Sequence, residues 1–228
     1  MQPTYLPWLG FFDLIRKADV FVIYDHVQFE KQSWQQRNRI RNRDGELMLT
    51  MSVRHGEGLE RQIKDVKIDY QRNIVNKHLN SIRQSYSKSR NFALLYPSIE
   101  AIYQKQHENL IDLNIALIKF GMAQLSIKKD FIYSSAIDVQ STKVEALIDI
   151  CNKTGCTEYY SPVGSKQYID ENNLFDQENI ALSYQQFNHP AYTQINYADF
   201  ISHLSFIDYL FNVEIDEAKN FGLHKTGY

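Results

Sequence analysis

The stretch Gln2–Asp13, QPTYLPWLGFFD, followed by Ala18–Asp25, ADVFVIYD, decides how this chain is read. Pro3 and Pro7 fix φ and remove two backbone donors, so the first residues form neither a strand nor a regular helix. Gly10 permits a close backbone approach or an unusual backbone angle. Phe11–Lys17 is expected to be helical, and the apolar run that follows reads as a short buried strand ending in the carboxylate of Asp25. A rigid aromatic turn leading through a helix into a strand is a β–α corner, and such a corner borders a ligand. The same residues also read as an N-terminal clamp with Trp8 as core anchor, and local chemistry leaves the two even.

Polar groups crowd behind the strand in Asp25–Asn38, DHVQFEKQSWQQRN. Ligands of open α/β sheets sit at the carboxyl ends of the strands, which puts Asp25, His26, Gln28 and Trp34 where a site would be. Arg37, Asn38 and Arg39 offer planar donors suited to phosphate or carboxylate. Read by itself, RNRIRNR (37–43) is a solvated basic loop before a turn at Asn42–Gly45. Glu46–Val53 then reads as a strand after the Asp44-Gly45 turn signal. His55–Gly58 reads as a flexible tip, and Ile63–Asp69 alternates like a half-exposed strand. Asp69 is placed to cap a helix over Tyr70–Tyr86, on which His78 reads as a packed or capping group.

Phe92–Phe120 carries apolar residues at helical spacing, with Pro97 expected to break it near its start and Gly121 to end it. Leu125–Ile132 returns to strand character. Ser134 and Ser135 follow it, either as hydroxyls for a phosphate or as a turn. Ser141-Thr142 with Glu145 resembles a capping box opening a helix to about Lys153, closed by Gly155. Thr157–Ser161 and Ile180–Phe187 read as strands, and Ser205–Phe211 as a short helix. The alternation is α/β throughout, with a helical middle segment and an α/β C-terminal part. No linker marks a domain boundary; the one place to divide is near Gln140, giving 1–140 and 141–228.

With 228 residues, 43% hydrophobic and 23% charged, the chain can bury a sizeable core without metals or disulfides. A net charge of −2 predicts no broad basic surface, so nucleic acid is not an expected partner. Cys151 and Cys156 lie five residues apart, which is not a metal-ligand spacing and fits a reducing compartment, the cytoplasm. No run approaches the roughly 18 apolar residues of a membrane span, and no signal peptide precedes the opening motif. Fifteen tyrosines and thirteen phenylalanines build either a ring-rich core or stacking surfaces. Walker A, GxGxxG, HExxH, paired CxxC and GxSxG patterns are all missing. A metal site is therefore unsupported, and ATP as cofactor has no phosphate-binding motif behind it.

The strings QPTYLPWLGFFDLI and ADVFVIYDHVQFEKQSWQQRNRI resemble the WbqC-like family of bacterial surface-polysaccharide loci. The likeness continues through SVRHG, IYSSAID, EYYSPVGSKQYID, FNHPAYTQ and LSFIDYLFN, essentially the whole chain. It implies a role in surface-glycan (O-antigen, lipopolysaccharide) biosynthesis: a transferase attaching a small acyl or aminoacyl group to a nucleotide-linked amino sugar. The alternative is a non-catalytic nucleotide-sugar-binding or assembly protein of the same pathway. More weakly, the opening corner is similar to nucleotidylyltransferases such as pantothenate synthetase, which implies a Rossmann-like (HUP-type) parallel core. The histidines with which those enzymes contact phosphates are absent here. On the transferase reading Asp25 and His189 are the base candidates, and Arg37 and Asn38 hold a phosphate or carboxylate. Gln2, Tyr5 and Trp8 shape the pocket, with Gly10, Gln28, Ser134, Ser135 and Tyr192 as further substrate contacts. Members of the family look as if they carry a short apolar strand ahead of the QP motif. The expectation is therefore that an inner strand of the sheet is missing before Met1.

Overall fold

The computed structural model describes residues 1–54, 61–171, 173–195 and 199–222; the expected tip at 55–58 lies outside them. Helix α1 (Leu9–Lys17) opens the chain and buries Leu9–Ile15, with Arg16 and Lys17 facing the negative end of its dipole. Strand β1 (Phe21–Ile23) follows and is buried along its length. Strands β2 (Arg37–Asn42) and β3 (Gly45–Thr50) form an antiparallel hairpin, in which Asn42 Oδ1 accepts from Asp44 N and Gly45 adopts φ 123°. Helices α2 (Ile74–Tyr86), α3 (Phe92–Gln104) and α4 (Leu110–Gln124) make the helical middle. Strand β4 (Phe131–Tyr133) returns beside β1, parallel to it, with Phe21, Val22 and Ile23 opposite Phe131, Ile132 and Tyr133. Helix α5 (Lys143–Thr154), capped by Gly155, leads to β5 (Glu158–Ser161). Short α6 (Lys166–Asp170) and α7 (Leu174–Gln177) connect β5 to β6 (Ala181–Tyr184), which pairs parallel with β5. Helices α8 (Phe206–Asn212) and α9 (Ile215–Lys219) close the described chain.

The class is mixed α/β, and the strands lie in three two-stranded pieces, two parallel and one antiparallel. The continuous parallel sheet expected from the sequence is not formed: among the described residues no ladder joins β1–β4 to β5–β6. The main core runs through α1–α4, the hairpin and α8–α9. A smaller one gathers Val144, Leu147, Ile148, Cys151, Ile169, Phe175 and Ile180 around α5–α7. No helix among the described residues is long and apolar enough to cross a membrane.

Several local expectations are corrected. Arg37–Asn42 is a strand, not a solvated loop, because Ile40 and Asn38 point inward while its arginines alternate. Ile63–Asp65 is a single 3-10 turn, and only isolated bridges at Lys67 and Ile68 give the segment extended character. Asp69 Oδ1 accepts from Gln71 N in a local turn, and α2 begins later, after Asn73 at φ 52°. Pro97 sits inside α3 without breaking it. It and Ala93, whose carbonyl loses its partner, are both exposed, so water serves that oxygen. The break falls instead at 105–109. Gly121 lies within α4, where a Cβ would come 2.5 Å from Phe12 Cζ, so it is there for close packing and not as a stop. The Leu125–Ile132 strand is confined to Phe131–Tyr133.

Candidate functional site

The Pro-rich opening brings Trp8 out at the start of α1, half-buried and bridged to Ser205 at the start of α8. Gly10 makes room for it, since a Cβ there would come 2.1 Å from the indole. The far end of the chain returns to this ring. Phe187 meets Trp8 edge-on at 5.4 Å, His203 stacks on it at 4.9 Å, and His189 lies parallel to it at 6.5 Å. Tyr192 and Phe200 complete the ring cluster, each about 6 Å from His189. His203 holds φ 60°, a left-handed backbone that a non-glycine residue keeps only when its surroundings over-determine it.

A buried polar network adjoins this ring cluster through Tyr192. Asp208, fully buried in the first turn of α8, accepts from Tyr86 and Tyr192 hydroxyls at 2.7 Å and from Gln194 Nε2 at 2.8 Å. Burial pushes its carboxyl above the ordinary range despite these donors, and it pushes the Tyr192 phenol up as well. His189 Nδ1 is 2.9 Å from the Pro190 carbonyl, which only accepts, so Nδ1 carries the proton. Burial lowers the pKa of the ring, with a smaller push from His203. The neutral imidazole thereby presents Nε2 as its basic atom.

A second polar cluster sits at the carboxyl ends of β1 and β4. Asp25 Oδ1 accepts from Ser134 Oγ and Ser135 N at 2.9 Å, and Oδ2 accepts from Ser135 Oγ at 2.6 Å. Asp25 N in turn donates to Ser134 Oγ. His26 adds its Nδ1 to Ser134 Oγ at 2.8 Å and its Nε2 to the Ser141 carbonyl at 3.2 Å. Both carboxylate oxygens of Asp25 are therefore engaged, and the cluster clasps two parallel strand ends. Ser134 is wholly buried and serves this clasp.

The remaining residues singled out in the sequence are dispersed. Tyr5 is fully buried, its hydroxyl bonded to Tyr103 and 2.7 Å from His78 Nδ1. Asn38 Nδ2 donates to the carbonyls of Tyr5 and Leu6 and holds Leu6 at φ 44°. Gln2 Oε1 accepts from Gln35 Nε2. Arg37 is half-buried, and its buried Nε has no hydrogen-bond partner among the described residues. Gln28 is exposed and bridges to Gln62. Trp8, Gly10, His189 and Tyr192 thus come together in one place, and Asp25, Ser134 and Ser135 in another. No hydrogen bond or ring contact among the described residues joins Asp25 to His189. Sequence reasoning passed over Asp208, Gln194 and His203. A carboxylate in the apolar string SFIDYLF was the available signal for the first. Among the described residues no three His, Cys, Asp or Glu side chains gather as metal ligands.

A family model described as the WbqC-like protein family matches residues 2–220. The chain is also 31% identical over 215 residues to a Mycobacterium tuberculosis protein named "Uncharacterized protein Rv1507c", covering 93% of this chain and 92% of that one. No solved structure matches.

Proposed function

The chain belongs to the WbqC-like protein family, and on that premise we propose that it is a transferase acting on a nucleotide-linked amino sugar in surface-glycan biosynthesis. The group transferred is a small acyl or aminoacyl unit. One observation carries the reading: a neutral His189, its Nδ1 proton held by Pro190, keeps a basic Nε2 in a cluster of rings. The sugar amine attacks the donor's acyl carbon and forms the C–N bond, and the donor's leaving group departs with the electrons of its broken bond to that carbon. An imidazole that is unprotonated at neutral pH accepts the amine's proton and can pass it to the leaving group. Trp8, Tyr192 and Phe200 supply flat apolar faces suited to a sugar or a base. Asp25 then has a positioning role, since its oxygens are taken up by Ser134 and Ser135.

Purified protein incubated with acyl donors and UDP- or dTDP-amino sugars should produce the mass of the amide. His189→Gln should slow that reaction by about 10²–10⁴-fold while the protein stays folded. An unchanged rate in this variant removes His189 from the mechanism. The occupied carboxylate of Asp25 favours a second reading, a nucleotide-sugar-binding or assembly protein without turnover. Thermal-shift binding of these sugars with no product under any donor would select it.

A further inference from the structure

Helix α5 ends in a turn that brings the chain's two cysteines together. Gly155 takes φ 68°, Gly155 N donates to Asn152 O at 3.3 Å, and Cys156 N donates to Cys151 O at 2.9 Å. These two crossed bonds make a Schellman cap. In such a cap the residues joined by the outer bond turn their side chains toward each other, and an apolar contact commonly fills the space. Here Cys151 and Cys156 fill it.

Both thiols are free. Cys151 is buried in the smaller core, and Cys156 is half-buried and packs on the same cluster. Burial pushes the Cys151 thiol up to about 11, with a further push from Cys156, so the two sulfurs lie within electrostatic reach of each other. Thr154 Oγ1 reaches Cys156 Sγ at 3.3 Å while it bonds Ile150 O at 2.7 Å, and so keeps Cys156 at the cap. A disulfide needs Cα atoms about 4.4–6.8 Å apart, and residues joined by a backbone hydrogen bond meet that need. Closure therefore asks for side-chain rotation while the bonds of the cap stay in place.

We propose that Cys151 and Cys156 are a reversible modification site, a disulfide that clips the end of α5 to the chain entering β5. The oxidant is a small disulfide of the glutathione type. The Cys156 thiolate, from the more exposed of the two residues, attacks one sulfur of it; a mixed disulfide forms and the first glutathione leaves as thiolate. The Cys151 sulfur then attacks Cys156 Sγ. The S–S bond within the chain forms, and the second glutathione leaves with the proton that Cys151 gives up. The two protein thiols lose two electrons, and the small disulfide is reduced to two thiols. A reducing compartment keeps the pair as thiols, and the clip closes where oxidised glutathione accumulates. Its effect falls on the smaller core. Cys156 lies two residues ahead of β5, and β6 beside it leads into Gln185, whose amide holds Gly10 O and Asp13 of α1.

The test equilibrates the protein in glutathione redox buffers, alkylates the remaining thiols and digests it unreduced with trypsin. Lys153 lies between the cysteines, so their two tryptic peptides stay joined only through the disulfide. The joined form should arise in a monomer, and its equilibrium constant should be at least tenfold larger in the folded chain than in the chain unfolded in urea. The Cys156 amide should exchange more slowly by about the same factor in the oxidised protein. In Cys151→Ala, Cys156 should stop at the mixed disulfide with glutathione. A smaller ratio, unchanged exchange at Cys156, or a glutathione adduct as the end product in the wild type overturns the proposal. Linkage between two chains, or no adduct in Cys151→Ala, overturns it as well.

Discussion

At the scale of single residues, two histidines have pKa values lowered by burial for different ends. His78 in α2 is pulled down to about 4, chiefly by desolvation. A hydrogen bond to the Thr50 backbone opposes the shift, and Nδ1 is left to accept from Tyr5. In the unfolded chain the ring titrates near 6.5. Between those values the unfolded state holds the proton and the folded state does not, so stability falls as pH drops from about 6.5 and bottoms out below about 4. The loss is roughly 3 kcal/mol. His78→Gln keeps an acceptor for Tyr5 but does not titrate. The stability difference between wild type and this variant, from urea unfolding at pH 7 and pH 4, should therefore shrink by that amount. A difference independent of pH rules the assignment out. His189 is half-exposed, so its effect belongs to rate and not to stability. On the proposed chemistry its basic form reacts, and the acid limb of kcat/KM should lie below 6.5, with activity rising through it to a plateau near neutrality. An acid limb above 6.5, or one that persists in His189→Gln, contradicts the assignment. Histidine in HPAYTQ was visible in the sequence as a candidate. The Pro190 bond is to the next residue, but the rings of Trp8 and His203 that bury the imidazole come from other parts of the chain, beyond the reach of local pattern.

At the scale of elements, the opening corner joins Trp8, Gly10 and Asn38. Gly10→Ala puts a methyl into the indole and should force Trp8 out of its stack with His203. In a Trp34→Phe background the emission of the remaining tryptophan should shift to the red. Destabilisation of about 1–3 kcal/mol should accompany it. Unshifted emission would mean that the indole moves without leaving the ring cluster. Asn38→Ala leaves the buried carbonyls of Tyr5 and Leu6 unpaired and frees Leu6 from its left-handed angle. A cost of about 2–4 kcal/mol is expected in denaturant unfolding, and less than about 1 kcal/mol would mean the corner holds itself. The elements most legible in the sequence carry their own punctuation. They are α1 after Pro7, the hairpin turn at Asp44-Gly45, α5 closed by Gly155, and α8 capped by Ser205 Oγ on Ile207 N. The misread ones imitate another period. Alternation in IKDVKID comes from one 3-10 turn and two isolated bridges, and Pro97 reads as a helix breaker because nothing local tells that its turn faces water. Asp25, Ser134 and Ser135 were each legible as strand-end polar groups. Their meeting depends on β1 and β4 being neighbours across 110 residues, which no local spacing encodes.

At the scale of the molecule, the two cores should not open together. The main core holds α4 from both sides and receives the chain's end, where Asn91 Nδ2 ties the Leu210 and Val213 carbonyls back to the helical middle. The smaller core rests on α5, two short helices and a two-stranded sheet whose β5 edge lines a cavity of about 660 Å³. A two-stranded sheet is marginal alone, and its amides draw protection only from what packs on them. Gln185 supplies its polar tie to α1 through Gly10 and Asp13. Native-state hydrogen exchange followed by mass spectrometry at rising denaturant should show α5 and β5–β6 opening at a lower free energy than Leu117 and Ile118 of α4. A gap of at least about 1.4 kcal/mol, a tenfold difference in opening constant, is expected. Removing the tie with Gln185→Ala should widen the gap by speeding exchange in β5–β6 while leaving α4 unchanged. Merged isotherms in the wild type at zero denaturant would show instead that α5 alone, lying over both parallel pairs, welds the two cores into one cooperative unit.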